Sequence, residues 1–316
     1  MIETITSVGL PVEEALRIKK NRFLPSGRNH TADAGQMKRV SIVTGIHGDE
    51  LEGQYVCYQL ACLLKEHPEH LHGIVDIYPA MNPFGIDSIT RGLPAFDLDI
   101  NRIFPGSMDG DMVEYVAARI VEDLIGSDLC IDIHASNIYL TEIPQIRINQ
   151  LHADTLVPLA EQLNVDFVWV HGASTVLEST LAYSLNSRGV PTLVVEMGVG
   201  MRITREYCDQ LLQGILNSMK NMGIWSGETQ PVRTPVISDN PRDVIFLNSC
   251  RPGVFIKEVS HGTHLKAGDL IGRVVDPLAG DILYEVTAPA AGWLFTIREY
   301  PIVEEGSLIA RILKED

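Results

Sequence analysis

Residues 40–53 read VSIVTGIHGDELEG, and this stretch decides the fold. Its first half is an apolar, β-branched run that indicates a buried strand. Gly45 and Gly48 follow, and glycine accepts the backbone conformations that a sharp turn requires. A helical pattern then begins near Glu50 and continues to Glu66. A strand that leads through a glycine turn into a helix is typical of a protein that alternates strands and helices.

The same alternation continues to about residue 225. The β-branched runs are Val40–Thr44, Val75–Tyr78, Leu129–His134, Phe167–Val170 and Thr192–Glu196. The stretches with apolar residues at helical spacing are Glu50–Glu66, Met112–Ile125, Asp154–Leu163 and Thr204–Met222. Because parallel strands need crossover connections, the pattern predicts an α/β fold with a mixed, largely parallel sheet and helices on both faces. Catalytic groups on such sheets gather beyond the carboxyl ends of the strands.

The sequence changes character after Trp225. Residues 226–243 are rich in Pro, Ser, Thr and Asp, which is typical of a linker or peripheral loop. Short strands and glycine turns follow, and their pattern begins at Gly253 and repeats at Gly292. The sequence therefore predicts a C-terminal all-β domain with an internal repeat. We place the two predicted domains at residues 1–230 and 231–316.

The internal repeat resembles the sandwich of biotinyl and lipoyl carrier domains. Those carriers present a modified lysine on the hairpin that joins the two halves. The corresponding stretch here, residues 276–281, contains no lysine. We therefore expect a structural or interface role for this domain.

Composition and charge narrow the class of partner. Of the 316 residues, 45% are hydrophobic and 21% are charged, which is typical of a soluble globular protein. The chain has 25 basic and 41 acidic residues, and its formal net charge is −16 at pH 7. A charge of this sign opposes long-range attraction to nucleic acid and to anionic membranes, so we expect neither as a partner. A small anionic substrate stays open, because a few local arginines can bind it.

The N-terminus and the cysteines indicate a cytoplasmic protein. The first residues, MIETITSVGL, lack the basic and apolar segments of a signal peptide, and no apolar run reaches the length of a membrane span. The five cysteines form no CxxC pair, which favours reduced thiols.

Two strand ends carry residues that suit a metal site. His47 lies in the glycine turn and Glu50 in the first helical turn, while His134 ends the apolar run 129–134. Imidazole and carboxylate groups are usual ligands of catalytic zinc, which keeps one position open for water. Two alternatives stay open when each residue is considered alone. An acidic pair at a helix start complements the helix dipole, and a core histidine can be satisfied by hydrogen bonds to the backbone.

Further polar residues end other apolar segments. Glu196 closes the run 192–196, where an unpaired buried carboxylate would be destabilising. A general base beside a metal-activated water explains it, and a structural salt bridge to an arginine is the alternative. Asn101 and Arg102 together offer an amide and a guanidinium fork suited to a substrate carboxylate. Asp99 could hold a ligand histidine in the required tautomer.

The order and spacing of these residues resemble a known family. The matching elements are His47-x-x-Glu50, Asp99-x-Asn101-Arg102, Phe104-Pro105-Gly106, Asp132-Ile133-His134 and Glu196. They resemble the succinylglutamate desuccinylase/aspartoacylase family, a branch of the zinc carboxypeptidase-like enzymes. The resemblance covers roughly residues 36–225, and the two-domain layout also fits that family.

The resemblance implies one zinc ion per chain, bound by His47, Glu50 and His134. It implies that Glu196 is the general base and acid acting on water at the zinc. The implied reaction is hydrolysis of the amide bond of a small N-acylated amino acid, a linear C–N bond other than a peptide bond. The acyl group and the amino acid are left unspecified.

The resemblance also assigns the residues around the metal. Arg102 with Asn101 would bind the substrate carboxylate or polarise the scissile carbonyl, and Asp99 would orient a ligand, His47 being the candidate. Arg91 is the candidate for a further family arginine, although its spacing from Asn101 looks stretched.

Arg147 is a separate candidate, because it follows His134 by a short loop and could reach a substrate carboxylate. A surface arginine on a strand is the alternative for this residue.

Other features receive simpler interpretations. Asp49, between the two ligands of the first turn, is expected to cap the helix or face solvent. The histidines of the segment 67–72 are expected to lie in a solvated loop. Two rival functions stay open, namely a zinc carboxypeptidase that acts on peptides and a non-catalytic metal-binding scaffold. Assembly into a homo-oligomer is also left open.

Overall fold

The computed structural model describes residues 1–26, 37–172 and 178–315. The strands in these ranges are β1 (Ile2–Gly9), β2 (Ala15–Phe23), β3 (Arg39–Thr44), β4 (Ile74–Tyr78), β5 (Leu129–Ala135), β6 (Leu140–Asn149), β7 (Phe167–His171), β8 (Thr192–Gly198), β9 (Val236–Ser238), β10 (Val244–Asn248), β11 (Gly253–Lys257), β12 (His264–Leu265), β13 (Leu270–Asp276), β14 (Asp281–Thr287), β15 (Gly292–Arg298), β16 (Ile302–Val303) and β17 (Leu308–Lys314). The α-helices are α1 (Glu52–Glu66), α2 (Pro83–Ser88), α3 (Met112–Leu124), α4 (Ala153–Ala160), α5 (Leu181–Asn186) and α6 (Arg205–Asn221). None of the described helices is both long and apolar enough to cross a membrane.

The centre of the fold is a parallel sheet with the strand order β4-β3-β5-β8. On one face, apolar residues of α1, α4 and α6 pack in a single cluster with β3 and β5. On the other face, α3 and α5 pack against Val43, Tyr78 and Cys130. The strands are buried because helices cover both faces, which is why their sequences are continuously apolar. The prediction of a mixed, largely parallel sheet with helices on both faces is confirmed.

Antiparallel strands extend this sheet at both sides. The hairpin β1–β2 pairs antiparallel with β4 at one edge. At the other edge, the ten-residue strand β6 pairs antiparallel with β8 and parallel with β7. The short strand β9, from the segment predicted as a linker, pairs parallel with β7. The strands β1, β2 and β9 were not predicted from the sequence, and β6 was anticipated only as the strand in the alternative for Arg147.

The C-terminal strands form two sheets whose hairpins repeat each other. The hairpin β11–β13 lies in a separate four-stranded sheet, and the hairpin β15–β17 lies in the large sheet. The short strand of each half pairs with the other half, because β12 pairs with β15 and β16 pairs with β11. Apolar side chains of both sheets share one core. The all-β repeat is therefore present, whereas the likeness to biotinyl and lipoyl carriers and the boundary at residue 231 stay predictions.

The C-terminal strands continue the large sheet directly. Strand β15 pairs antiparallel with β6 over Leu140–Glu142 and Thr296–Arg298. This pairing places β15 and β17 beside β6, whose residues line the candidate site described next.

Candidate metal centre and active site

Parallel pairing brings the predicted site residues to one edge of the sheet. The strands β3, β5 and β8 run in the same direction, so their carboxyl ends lie side by side. His134 and Glu196 are register partners in the β5–β8 pair. His47 and Glu50 follow β3 in the loop that leads to α1.

The loop between β3 and α1 is packed tightly, and glycine is required in it. A Cβ atom on Gly48 would lie 1.9 Å from the carbonyl carbon of Gly85. The Gly48 amide donates a hydrogen bond to the Thr90 carbonyl at 3.1 Å. Gly45 has a φ of +70°, a conformation that side-chain-bearing residues rarely adopt. The two glycines therefore allow the loop to lie against the segment 79–91, with His47 directed into the site.

Three candidate ligands converge at the sheet edge. His47 Nδ1 lies 2.7 Å from Glu50 Oε1, and His134 Nδ1 lies 2.9 Å from Glu50 Oε2. The two Nδ1 atoms are 3.3 Å apart. All three side chains are buried, and their donor atoms lie within 4.8 Å of one another. Two imidazoles and one carboxylate in this arrangement could hold a metal ion.

Each histidine ring has a carboxylate on its far side. His47 Nε2 lies 3.1 Å from Asp99 Oδ1, so Asp99 contacts the histidine that the sequence suggested. His134 Nε2 lies 3.2 Å from Asp132 Oδ2. Asp132 was not assigned a role from the sequence, although its i, i+2 spacing to His134 puts both side chains on one face of β5. Such carboxylates commonly fix the orientation of metal-binding histidines.

The electrostatics of the cluster fit a divalent cation. Burial by itself lowers the pKa of His134, but the Asp132 and Glu50 carboxylates outweigh burial and raise the pKa well above the ordinary value. The pKa of His47 is likewise raised, because Glu50 and Asp99 offset burial. The pKa of Glu50 is lowered, since the two histidines outweigh its burial. The site thus binds positive charge strongly, and a metal ion could take the place of the histidine protons.

Arg91 joins this cluster despite its distance along the chain from Asn101. Its Nη1 donates to Glu50 Oε1 at 3.0 Å, and its Nη2 donates to Asp99 Oδ2 at 3.4 Å. The intervening loop folds back on itself, because the Leu93 amide donates to the Leu98 carbonyl at 2.9 Å. This loop therefore accommodates the long sequence spacing between Arg91 and Asn101.

A cavity of about 230 Å³ opens beside the cluster. The predicted site residues that line it are His47, Arg91, Asn101, Arg102, His134, Arg147 and Glu196. Asn101 is buried, and its Oδ1 accepts a hydrogen bond at 3.0 Å from the amide of Leu181, the first residue of α5. This bond holds the Asn101 side chain against the start of that helix. The Arg102 Nη1 donates to the Asn101 carbonyl at 2.8 Å. The structure thus brings together all of the predicted residues around this cavity and the three candidate ligands.

Glu196 faces this cavity with an arginine beside it. Its Oε1 lies 3.3 Å from Arg147 Nη1, and its side chain is 16% exposed. Burial raises the pKa of Glu196 above the ordinary value, although the charges of Arg147 and His134 oppose this shift. Glu196 therefore has an arginine partner, as a structural salt bridge requires. It also reaches the cavity, as a general base requires. Arg147 is not a surface arginine, because it lies between Glu196 and the buried Glu142.

The sequence model of the succinylglutamate desuccinylase/aspartoacylase catalytic domain matches residues 36–222. The chain belongs to this family. A curated relative is the N-alpha-acetyl-L-2,4-diaminobutyric acid deacetylase of Halomonas elongata, which is 27% identical over 88% of this chain and 82% of its own length.

Two solved structures share the fold over nearly the whole chain. A succinylglutamate desuccinylase from Silicibacter superposes with a TM-score of 0.81 at 22% identity, over 98% of this chain and 93% of the other. The product-bound ectoine utilization protein EutE from Ruegeria pomeroyi superposes with a TM-score of 0.80 at 20% identity, over the same shares. Because both matches span nearly the whole chain, the C-terminal strands belong to the shared fold.

Two simpler expectations from the sequence have different outcomes. Asp49 is buried, and its carbonyl accepts a hydrogen bond from the Met201 amide at 2.7 Å, so the expectation of a helix cap or a solvent-facing residue is wrong. The residue that caps α1 is Leu51, and no side-chain hydrogen bond caps this helix start. The surface histidines His67 and His70 form a second group with Glu69, and this group is largely exposed, as expected for a solvated loop.

Proposed function

We propose that this family member is a zinc-dependent deacylase that hydrolyses the amide bond of a small N-acylated amino acid. The observation that carries the proposal is the convergence of His47, Glu50 and His134 beside the carboxylate of Glu196 at one sheet edge. The names of the relatives support it, since they include an acetyl-diaminobutyric acid deacetylase and a succinylglutamate desuccinylase.

One zinc ion would be held by His47 Nδ1, His134 Nδ1 and the Glu50 carboxylate. The Nε2 atoms of both rings lie within 3.2 Å of a carboxylate oxygen, which fits rings held for metal binding. When bound, zinc polarises a carbonyl and lowers the pKa of water at its open position to about 7.

Glu196 serves as general base and then as general acid in this proposal. It accepts a proton from the attacking water and later donates it to the leaving amine nitrogen. Its position fits this task, because it is the register partner of His134 and its side chain reaches the cavity. A raised pKa also suits a group that must both accept and release a proton near neutral pH.

The arginines around the cavity indicate a substrate with a carboxylate. Arg91, Arg102 and Arg147 all line the cavity, and Asn101 adds an amide beside them. We assign carboxylate binding to Asn101 and Arg102, with Arg91 and Arg147 as further contacts. Guanidinium groups bind carboxylates through two parallel hydrogen bonds. We also assign to Arg102 the polarisation of the scissile carbonyl.

The rival function is a carboxypeptidase that acts on peptides. The names of the relatives favour a small substrate over a peptide, since each name gives a single acylated amino acid. We further propose that residues 1–230 form the catalytic domain and that the C-terminal domain limits access to the site.

The deciding experiment combines zinc quantitation with a substrate panel. The purified protein is expected to contain one zinc per chain and to hydrolyse acetyl, succinyl or formyl amino acids in preference to dipeptides and longer peptides. Preference for peptides would favour the carboxypeptidase, and bound metal without hydrolysis would favour a scaffold.

Two matched double variants test the ligands. We expect the double variant H47A/H134A to lose zinc. The double variant H67A/H70A removes two histidines from the exposed group and should keep it. Full zinc content in H47A/H134A would exclude these ligands.

A further inference from the structure

A buried carboxylate connects the candidate active site to the C-terminal domain. Glu142 of β6 is fully buried, and two arginines and one hydroxyl bind it. Its Oε2 accepts from Arg147 Nη2 at 2.8 Å, and its Oε1 accepts from Thr296 Oγ1 at 3.0 Å. The Oε1 atom also accepts from Arg311 Nη1. Thr296 and Arg311 belong to β15 and β17, so two of the three partners come from the C-terminal strands.

The three side chains form a row across neighbouring strands. Thr296 lies opposite Glu142 in the β6–β15 pair and opposite Arg311 in the β15–β17 pair. Directly opposed residues point to the same face of a sheet. The pairing register of the C-terminal strands therefore places Arg311 and Thr296 against Glu142.

Two aromatic rings lie close to the Arg311 guanidinium group in this row. Its guanidinium carbon lies 5.8 Å from the ring centre of Trp169 and 5.6 Å from that of Phe246. A guanidinium group within about 6 Å of a ring centre is attracted electrostatically by the aromatic ring. The Arg311 side chain is only 15% exposed, and it provides a fixed positive charge at one oxygen of Glu142.

The two carboxylate oxygens of Glu142 have different partners, and this difference determines where Arg147 points. A guanidinium group and a carboxylate preferentially pair through two parallel hydrogen bonds. Arg311 and Thr296 occupy Oε1, which leaves only Oε2 for Arg147. The second terminal nitrogen of Arg147 remains directed at Glu196, 3.3 Å from its Oε1.

We propose that Arg311 is a positioning residue of the active site, which acts through Glu142 to hold Arg147 against Glu196. The inference rests on the proposed function of Glu196. It assigns to the C-terminal domain a part in arranging the general base, beyond limiting access to the site.

The first test is structural and does not depend on activity. In a crystal structure of the R311M variant, Arg147 should turn to bind both oxygens of Glu142. Its Nη1 should then lie beyond the ~4 Å limit of an ion pair with Glu196. An Arg147 that keeps its contact with Glu196 overturns the inference, whichever substrate the protein uses.

The second test separates kcat from KM. We expect R311M to lower kcat by roughly 10- to 100-fold, the scale that a small displacement of a reacting group produces. KM should change less than kcat, because Asn101, Arg102 and Arg91 stay in place while Arg147 alone moves, and R311K should restore part of the loss in kcat. The matched control is R273M, since Arg273 is a C-terminal arginine that pairs with Glu258 and Glu285 away from the site. An unchanged kcat in R311M, or an equal loss in R273M, overturns the inference.

A charge-balanced double variant completes the test. The variant E142Q/R311M removes one negative and one positive charge, so Arg147 keeps Glu196 as its carboxylate partner. Its kcat should exceed that of R311M, and a double variant no faster than R311M overturns the inference. If R311M does not fold, R311Q removes the charge and shortens the side chain while keeping a polar end, and it should shift Arg147 in the same direction. An unshifted Arg147 in R311Q then overturns the inference.

An absence of hydrolysis in the wild type would remove the proposed function. The crystal structure of R311M would still decide whether Arg311 places Arg147, so the two failures are distinguishable.

Discussion

We expect the carboxylates behind the two histidine rings to tune the affinity of the proposed metal site. Asp132 Oδ2 lies 3.2 Å from His134 Nε2 and is buried. Because the substitution Asp132→Asn removes this charge at nearly constant shape, we expect it to lower zinc affinity about 10- to 100-fold. Competition with a chelator of known affinity measures the change. Asp109→Asn, in an exposed loop, is the control and should have no effect. Wild-type affinity in the Asp132 variant would show that His134 needs no partner.

The protonation of the same histidines predicts how zinc binding depends on pH. The pKa values of His47 and His134 are raised above the ordinary value for histidine. Without metal, the two rings therefore stay protonated to a higher pH than a free histidine does. Zinc must displace these protons, since only the neutral ring binds metal. Affinity should therefore rise with pH through the neutral range and fall as the solution becomes more acidic. Titration calorimetry at pH 7 in two buffers of different ionisation heat should reveal proton release, and equal heats would contradict it.

The carboxylate of Glu196 separates metal binding from turnover. We expect Glu196→Gln to keep zinc and to lose at least about 100-fold in kcat, because the amide cannot accept a proton from water. Metal analysis and steady-state kinetics on the same preparation measure both properties. Glu69→Gln, in the exposed histidine loop, is the control. Near-normal turnover in the Glu196 variant would remove this residue from the mechanism.

The residues that the sequence predicted differ in one physical respect from those that it missed. His134 and Glu196 each end an apolar strand, so the change from apolar to polar is visible in the chain itself. Glu142 and Arg311 are far apart in the sequence, and only the pairing register of β6, β15 and β17 brings them into contact. Single residues at strand ends can be predicted from the sequence, whereas contacts set by register cannot.

At the scale of the element, the loop from β3 to α1 depends on glycine. A Cβ on Gly48 would collide with the backbone at Gly85, which cannot move aside like a flexible side chain. We expect Gly48→Ala to destabilise the protein by about 1–3 kcal/mol, the range for overpacking, and to weaken zinc binding by displacing His47. Thermal unfolding and chelator competition measure the two effects. Gly9→Ala is the control, because no atom lies within 4 Å of its added Cβ. A fully stable Gly48 variant with normal metal affinity would show that the loop can relax.

The predicted elements succeed where the chain is buried on both faces. The strands β3, β4, β5 and β8 have continuous apolar runs, and the structure places each within two residues of its predicted bounds. The hairpin β1–β2 and the strand β6 mix polar and apolar residues, and β6 also contains Pro144, which argues against a central strand. Tertiary pairing forms these strands, so local pattern alone does not predict them.

At the scale of the whole molecule, one sheet joins the two predicted domains. Strand β15 pairs with β6, and Phe295 packs against Phe167 with their ring centres 5.0 Å apart. The buried Glu142 also takes its charge compensation from Arg311. The interface therefore contains backbone hydrogen bonds, apolar packing and a buried ion pair. Removal of the C-terminal strands would break all three.

This continuity predicts the fate of a truncated chain. Deletion of residues 240–316 would expose the edge of β6, and an open edge is a template for aggregation. It would also leave Glu142 with Arg147 as its single arginine partner, and an imperfectly compensated buried charge is destabilising. We expect the truncated protein to aggregate or to unfold at a lower temperature, which size-exclusion chromatography and thermal unfolding measure. A monomeric truncated protein with cooperative unfolding and unchanged activity toward long substrates would contradict both the structural role of the C-terminal strands and their proposed restriction of access.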